Sequence, residues 1–269
     1  MKILMLTWEY PPRIVGGIAR VVHDLSKRLI KDGHEVTVVT YRDGELPEYE
    51  NDKGVKVYRV ENYMIRPNNF IDWVMQLNFN MVSKASEIIR KEGKFDVIHA
   101  HDWLVATSAK TLKQAFGIPV VATTLKNSYN IPIVSTIHAT EAGRNSGIHD
   151  ETQRYINDTE WLLTYEATEV IVNSNFMKGH VQGLFGLPFD KINVVPNGIN
   201  ITNFNGIERD YEFRRQYAMD NEKIILFVGR LDEIKGLGEL IFTFKKLLQI
   251  DPYCHLVIVG DGFYSYYLN

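Results

Sequence analysis

Arg230 and Lys235 are the side chains in this 269-residue sequence whose types and spacing most directly suggest a chemistry. An apolar run from Lys223 to Val228 leads into Gly229, Arg230, Lys235 and Gly236, after which a helix is expected over Leu237–Gln249. Two fixed cations beside a helix N-terminus suit a pyrophosphate, because their charge adds to the free N–H groups and the helix dipole. The plain alternative is a pair of solvated surface cations.

A second candidate loop runs from Trp8 to Gly17 and carries Glu9, Pro11, Pro12 and the paired glycines Gly16 and Gly17. Paired glycines let a ligand approach the backbone, and the following helix N-terminus favours an anion. The spacing is not the G-x-G-x-x-G fingerprint of dinucleotide binding, which weighs against hydride chemistry. A tight turn with a proline-stiffened entry is the structural alternative.

His99, His101, Asp102 and Trp103 close an apolar run. Ligands of open α/β sheets gather at the carboxyl ends of strands. There Asp102 could accept hydrogen bonds from sugar hydroxyls and Trp103 could pack on a sugar face. Strand alternation puts His99 and His101 on one face, which raises a metal reading, but no third ligand has suitable spacing. Core histidines are the favoured alternative. His138, after the run ending at Ile137, could donate to a substrate hydroxyl or a backbone carbonyl, although a lone histidine is more often structural. Ser174 reads as a helix N-cap, and Asn197 with Gly198 as a turn.

The elements that must position these groups alternate short apolar runs with amphipathic stretches, the pattern of a parallel sheet covered by helices. Strands are expected at Lys2–Thr7, Glu35–Thr40, Val55–Val60, Phe95–Ala100, Ile131–Ile137, Glu169–Asn173 and Ile192–Val195. Helices are expected at Gly17–Ile30, Phe70–Arg90, Glu151–Thr164 and Asn175–Leu184. Apolar periodicity fades from Pro196 to Asn221, and a new strand–helix–strand unit then fills 223–260. Residues 111–123 recur at 124–136, with Thr, Leu, Lys, Ile, Pro, Val and Thr in register. Only one copy can supply the regular strand, and the second, which leads into His138, is the expected one.

Hydrophobic content of 45%, charged content of 23% and a net charge of -3 describe a globular chain with no electrostatic case for nucleic acid or an anionic membrane. No run approaches the roughly 20 apolar residues of a membrane span, and the single cysteine, Cys254, suits a reducing compartment; a cytoplasmic location is expected.

Together these segments resemble the retaining glycosyltransferases of family 4, with their two-domain GT-B architecture, and the glycogen synthase-like members above all. The resemblance rests on Thr7 to Pro12 with Gly16 and Gly17, on His101-Asp102-Trp103, on Thr136 to Thr140, on Val195 to Gly198, and on Gly229 to Leu231 with Lys235 and Gly236. It implies an α/β fold: a Rossmann-like N-terminal domain with a parallel sheet over 1–200 on the acceptor side, a linker over 201–221, and an incomplete second α/β domain over 222–269 on the nucleotide-sugar donor side. It also implies transfer of a hexose, glucose foremost, from UDP- or ADP-glucose to a glucan or other glycan with retention. No metal and no further cofactor are implied.

By the same resemblance Arg230 and Lys235 stabilise the leaving diphosphate, His138 steadies the transferring sugar, and Asp102 orients hydroxyls near the reaction centre. Glu9, Gly16, Gly17, Trp103, Asn197 and Gly229 contact substrate. Two positions depart from the pattern. Ile14 stands where starch synthase-type enzymes have lysine, and the family's paired glutamates, eight positions apart, belong beyond Asn269. A second domain of this length should leave apolar surface uncovered, so the unit is expected to be mobile, docked on the first domain, or covered through self-association. Two rival functions stay open: a non-catalytic protein that binds glycan or phosphate, and a sugar-nucleotide epimerase on the same architecture.

Overall fold

The computed structural model describes residues 1–63, 67–116, 132–199, 201, 206, 208–262 and 265–268, with the backbone alone at 233, 267 and 268. The chain divides into two compact units, Met1–Gly198 and Ile199–Asn269.

Apolar runs without polar alternation become strands buried on both faces, as a parallel sheet between helices requires. In the first unit these are β1 (Lys2–Leu6), β2 (Glu35–Tyr41), β4 (Val55–Val60), β5 (Val97–His101), β6 (Ile133–Ile137), β7 (Glu169–Val172) and β8 (Ile192–Val194). They pair in parallel, in the order β4-β2-β1-β5-β6-β7-β8. Leu4, Met5 and Leu6 at the sheet centre are fully buried. Each such side chain contributes about 1.5–3 kcal/mol by leaving water. One strand was not foreseen. β3 (Tyr49–Asp52) adds antiparallel to the outer edge of β4. Its Glu50 meets the fully buried guanidinium of Arg59 at 3.1 Å.

The helices follow the expected spacing and have definable ends. They are α1 (Gly17–Lys31), α2 (Phe70–Glu92), α3 (Ala106–Ala115), α4 (Glu141–Arg144), α5 (Glu151–Glu166) and α6 (Asn175–Phe185). Asn69 caps α2 by accepting from the Asp72 N–H, and Asp150 caps α5 in the same way. Ser174 caps α6, which stops at Gly186 in the left-handed region at φ 65°. The short α4 helix was not anticipated. Of the tandem stretch, 111–115 closes α3 and 133–136 of the second copy forms most of β6. The residues between, 117–131, lie outside the described set.

β1 is flanked by β2 on one side and β5 on the other, so successive connections leave it in opposite directions. That reversal opens a crevice at the carboxyl ends of β1 and β5, where open α/β sheets bind ligands. Leu6 pairs with Ala100 across it, and His101 pairs with Thr136 on the next strand.

In the second unit a short helix α7 (Tyr211–Arg215) precedes β9 (Lys223–Val228), α8 (Leu237–Leu247) and β10 (Cys254–Val259). β9 and β10 are parallel neighbours from Lys223↔Cys254 to Val228↔Val259. Among its described residues only Ala218, Leu231, Leu237 and Cys254 are buried, while Leu226 and Val228 are 60% and 68% exposed. No helix among the described residues is long and apolar enough to cross a membrane.

Candidate active site

Three connections at the carboxyl edge of the first sheet bring titratable side chains together. The loop after β1 turns back on itself. The Thr7 hydroxyl donates to the Glu9 carbonyl at 3.0 Å, and Arg59 Nη2 donates to the Pro11 carbonyl at 3.0 Å. Glu9 is completely buried, and its Oε2 accepts the backbone N–H groups of Val15 at 2.6 Å and Gly16 at 2.9 Å. The glycine loop expected to receive an anion therefore already has a carboxylate on two of its donors. Gly17 stays open, since a Cβ there would meet nothing within 4 Å.

At the end of β5 the two histidines share a face, as alternation requires, with ring centroids 4.0 Å apart. His99 Nε2 is 2.8 Å from Thr136 Oγ1, whereas both ring nitrogens of the fully buried His101 have no partner among the described residues. His101 stacks at 6.0 Å on His138, which follows β6. Burial pushes His99 and His138 down to about 4 and His101 well below its ordinary value, so all three rings are neutral at pH 7. The Glu9 carboxylate acts the other way on His138. Among the described residues no group of three or more His, Cys, Asp or Glu side chains could hold a metal ion.

Asp102 is 3% exposed and sits at φ 71°, a conformation rare for a residue with a side chain and often found at functional sites. Its Oδ1 accepts the Trp103 N–H at 2.7 Å, and its Oδ2 lies 3.7 Å from Arg144 Nη2. Burial raises the Asp102 carboxyl, and Arg144 and the Trp103 N–H pull it back. Trp103 does not offer the open sugar-stacking face expected of it. At 3% exposure it is buried in a cluster with Val74, Leu104 and Ile156. The residue instead anchors the turn that carries Asp102.

Two contributors were missed. Arg144, on α4, spans from Asp102 to Glu141 Oε2 at 3.3 Å. Glu160, on α5, is fully buried, and both its oxygens accept the Glu141 N–H at 3.0 Å. Burial, with Asp102 nearby, pushes Glu160 up to about 8. On the other side Thr140 Oγ1 is 2.7 Å from His180 Nε2 and caps the Gly143 N–H at 3.0 Å. The segment from His138 to Arg144 is thus tied to α5, α6 and the end of β5. Helical polar positions such as Glu160 carry no sequence signal of burial, while Arg144, three residues past Glu141, had the spacing of a helical ion pair.

In the second unit Arg230 is more than half exposed and pairs with Asp232 at 2.7 Å. Lys235 is exposed and closes a 3-10 turn, and Gly236, at φ 66°, begins α8 without a side-chain cap. Gly229 donates to the Val259 carbonyl at 3.0 Å, and the Leu231 N–H to Asp261 at 2.9 Å. Only glycine fits at Gly260, where a Cβ would fall 1.8 Å from the Gly229 carbonyl oxygen. The Arg230 loop is therefore fixed to the end of β10. Asn197 is exposed at the end of the first unit, beyond β8.

Comparison with known proteins bears on the same segments. Residues 15–203 match the profile of Glycosyltransferase Family 4, and residues 209–269 that of Glycosyl transferases group 1. An uncharacterized glycosyltransferase of Methanocaldococcus jannaschii is 41% identical over 273 residues, covering 100% of this chain and 65% of its own length. A glycogen synthase of Mycobacterium tuberculosis is 33% identical over 277 residues, covering 97% and 62%. The chain thus spans less than two thirds of these curated relatives. Among solved structures, sucrose-phosphate synthase from Thermosynechococcus elongatus superposes with a TM-score of 0.76 at 20% identity, over 96% of this chain and 62% of that one. That likeness carries the GT-B type of fold. With the profile match covering residues 15–203, which include Gly16, Gly17, His99, His101, Asp102 and His138, the chain belongs to Glycosyltransferase Family 4.

Proposed function

We propose that the protein transfers a hexose, glucose foremost, from a nucleoside diphosphate sugar to a glycan acceptor with retention of anomeric configuration. One observation carries this reading: the buried carboxyls of Glu9 and Asp102 lie with the half-buried His138 where the sheet order reverses. In the reaction the bond from the anomeric carbon to the diphosphate breaks and a bond to an acceptor hydroxyl forms. The hydroxyl proton leaves with the nucleoside diphosphate.

Arg230 and Lys235 stabilise the charge that develops on the departing diphosphate, where fixed cations act most strongly. The donor meets the first loop at Gly17, because Glu9 already holds the N–H groups of Val15 and Gly16. His138, kept neutral by burial, steadies the transferring sugar as a hydrogen-bonding group without a charge to repel a developing oxocarbenium ion. Asp102 accepts from sugar hydroxyls and supplies negative charge beside the same centre. Gly229 and Asn197 complete the substrate contacts. UDP- and ADP-glucose are the donors this reading names.

The test is incubation with radiolabelled UDP-glucose or ADP-glucose and a neutral glucan primer. Label in the primer supports the proposal. Absence of both primer labelling and donor turnover with either nucleotide would leave a binding protein in place of a transferase.

A further inference from the structure

The proposed transfer chemistry makes no use of the fully buried carboxyl of Glu160, yet that group sits against the turn that brings Arg144 to Asp102. The helix it meets, α4, is a single turn of four residues with no buried side chain. A helix that short has neither the internal hydrogen bonds nor the apolar packing to hold its own place. Polar ties set its position. Thr140 caps it by accepting the Gly143 N–H, and Thr140 is itself tied to His180 on α6. Glu160, on α5, supplies the other tie, since both its oxygens accept the Glu141 N–H at 3.0 Å.

From α4 the contacts run on to Asp102. Glu141 Oε1 accepts from Asn145 Nδ2 at 2.9 Å, and Glu141 Oε2 meets Arg144 Nη1 at 3.3 Å. Arg144 Nη2 lies 3.7 Å from Asp102 Oδ2. Glu160 is thereby joined to Asp102 through the Glu141 backbone and the Arg144 guanidinium. The charged groups that face Glu160 are Asp102 from the end of β5, and Arg144 and Glu141 from α4. α3, β6 and the Trp103–Val105 turn also pack on α5. β6 and the turn carry no charged side chain, and Lys110 and Lys113 of α3 pair with Glu166 at the far end of α5.

The charge on Glu160 matters to that chain of contacts. A neutral carboxyl accepts from Glu141 and leaves Arg144 to Asp102. An ionised one sets a third negative charge around one guanidinium and competes with Asp102 for it. Burial, with Asp102 nearby, keeps the proton on Glu160 up to about pH 8.

We propose that Glu160 is a positioning residue, which sets the Asp102 carboxylate for substrate through the Glu141 N–H and Arg144. The inference rests on the transferase reading for the role of Asp102, and on the contacts alone for the coupling of Glu160 to Asp102.

The experiment follows both ends of this chain of contacts in the whole protein from pH 6 to pH 9. Carboxyl carbon-13 NMR, with Asp102 assigned from Asp102→Asn and Glu160 from Glu160→Gln, reads the coupling without any substrate. The Asp102 signal is expected to shift in step with that of Glu160, and to stay in place over this range in Glu160→Gln. In wild type, kcat/KM for transfer from UDP- or ADP-glucose to a neutral glucan is expected to fall about tenfold between pH 7 and pH 9. That fall should disappear in Glu160→Gln, whose amide keeps an acceptor for Glu141. Were Glu160→Gln not to fold, the Asp102 titration in wild type alone decides. A static Asp102 signal in wild type, or the same shift in Glu160→Gln, overturns the inference, as does a pH profile of transfer that the substitution leaves unchanged. A joint titration without any sugar transfer keeps the coupling and removes the transferase reading. Transfer with a static Asp102 signal does the reverse.

Discussion

Glu9 and Gly16 are joined by a 2.9 Å hydrogen bond in which a buried carboxylate takes a backbone donor of the glycine loop, and the same oxygen takes the Val15 N–H. A helix start with glycines would by itself be an open anion site. Here the protein's own carboxylate shapes the loop and leaves Gly17 open. Replacing Glu9 with Ala strands two N–H groups and should cost about 1–3 kcal/mol of stability. Glu9→Gln, which retains an acceptor oxygen, should cost less. Urea denaturation of both variants checks the order, and equal losses would mean that the carboxylate is not the organising group.

Glu160 gives a pH signature. Its folded value of about 8 lies above the ordinary 4.5, so the folded protein holds a proton that the unfolded chain releases between those limits. The stability it contributes is full below pH 4.5 and is lost as pH rises through 8. Glu160→Gln keeps an acceptor for the Glu141 N–H and removes the titration. The variant should melt close to wild type near pH 5 and roughly 3–6 °C higher at pH 9. Parallel melting curves across that range would contradict the buried protonated carboxyl.

Much of this architecture is legible in the residues. The apolar runs at Ile3–Leu6 and Val36–Val39 can only be strands buried on both faces, and strand alternation correctly puts His99 and His101 on one face. Tyr49–Asp52 escaped notice because its polar residues gain strand structure only from pairing with β4 and from the Glu50–Arg59 ion pair. Trp103 was misjudged because an aromatic next to a polar cluster reads equally as a platform or as an anchor. Glu160 was illegible, since a carboxylate on a helix is buried only when a distant segment, here the start of α4, brings a donor to it.

The histidines should separate under mutation. His99→Leu breaks the hydrogen bond to Thr136 and should cost about 1–3 kcal/mol at pH 7. His101→Leu breaks no hydrogen bond among the described residues, where neither ring nitrogen has a partner, and should be neutral or stabilising at the same pH. Both rings titrate below the ordinary 6.5, so the stability they contribute is full above that pH and is lost as pH falls toward 4. His101→Leu should therefore flatten the acid limb of the stability profile. Greater destabilisation by His101→Leu than by His99→Leu would point to a partner for His101.

Arg230→Ala and Lys235→Ala test the proposed diphosphate site without disturbing the fold, as both side chains are exposed. Each should lower kcat/KM for transfer by roughly 10²–10³. Melting temperatures should stay within about 2 °C of wild type. Arg230→Lys should recover only part of the loss, since an ammonium cannot reproduce a planar fork on phosphate oxygens. Turnover at wild-type rate in both alanine variants would remove these cations from the mechanism.

The most direct measurement is the anomeric configuration of the first product. Transfer from UDP- or ADP-α-glucose to a neutral glucan, followed by proton NMR of the new anomeric signal, should give a new α-linked glucose. A β-linked product would overturn retention, and a donor left intact in the presence of every neutral glucan would contradict sugar transfer itself.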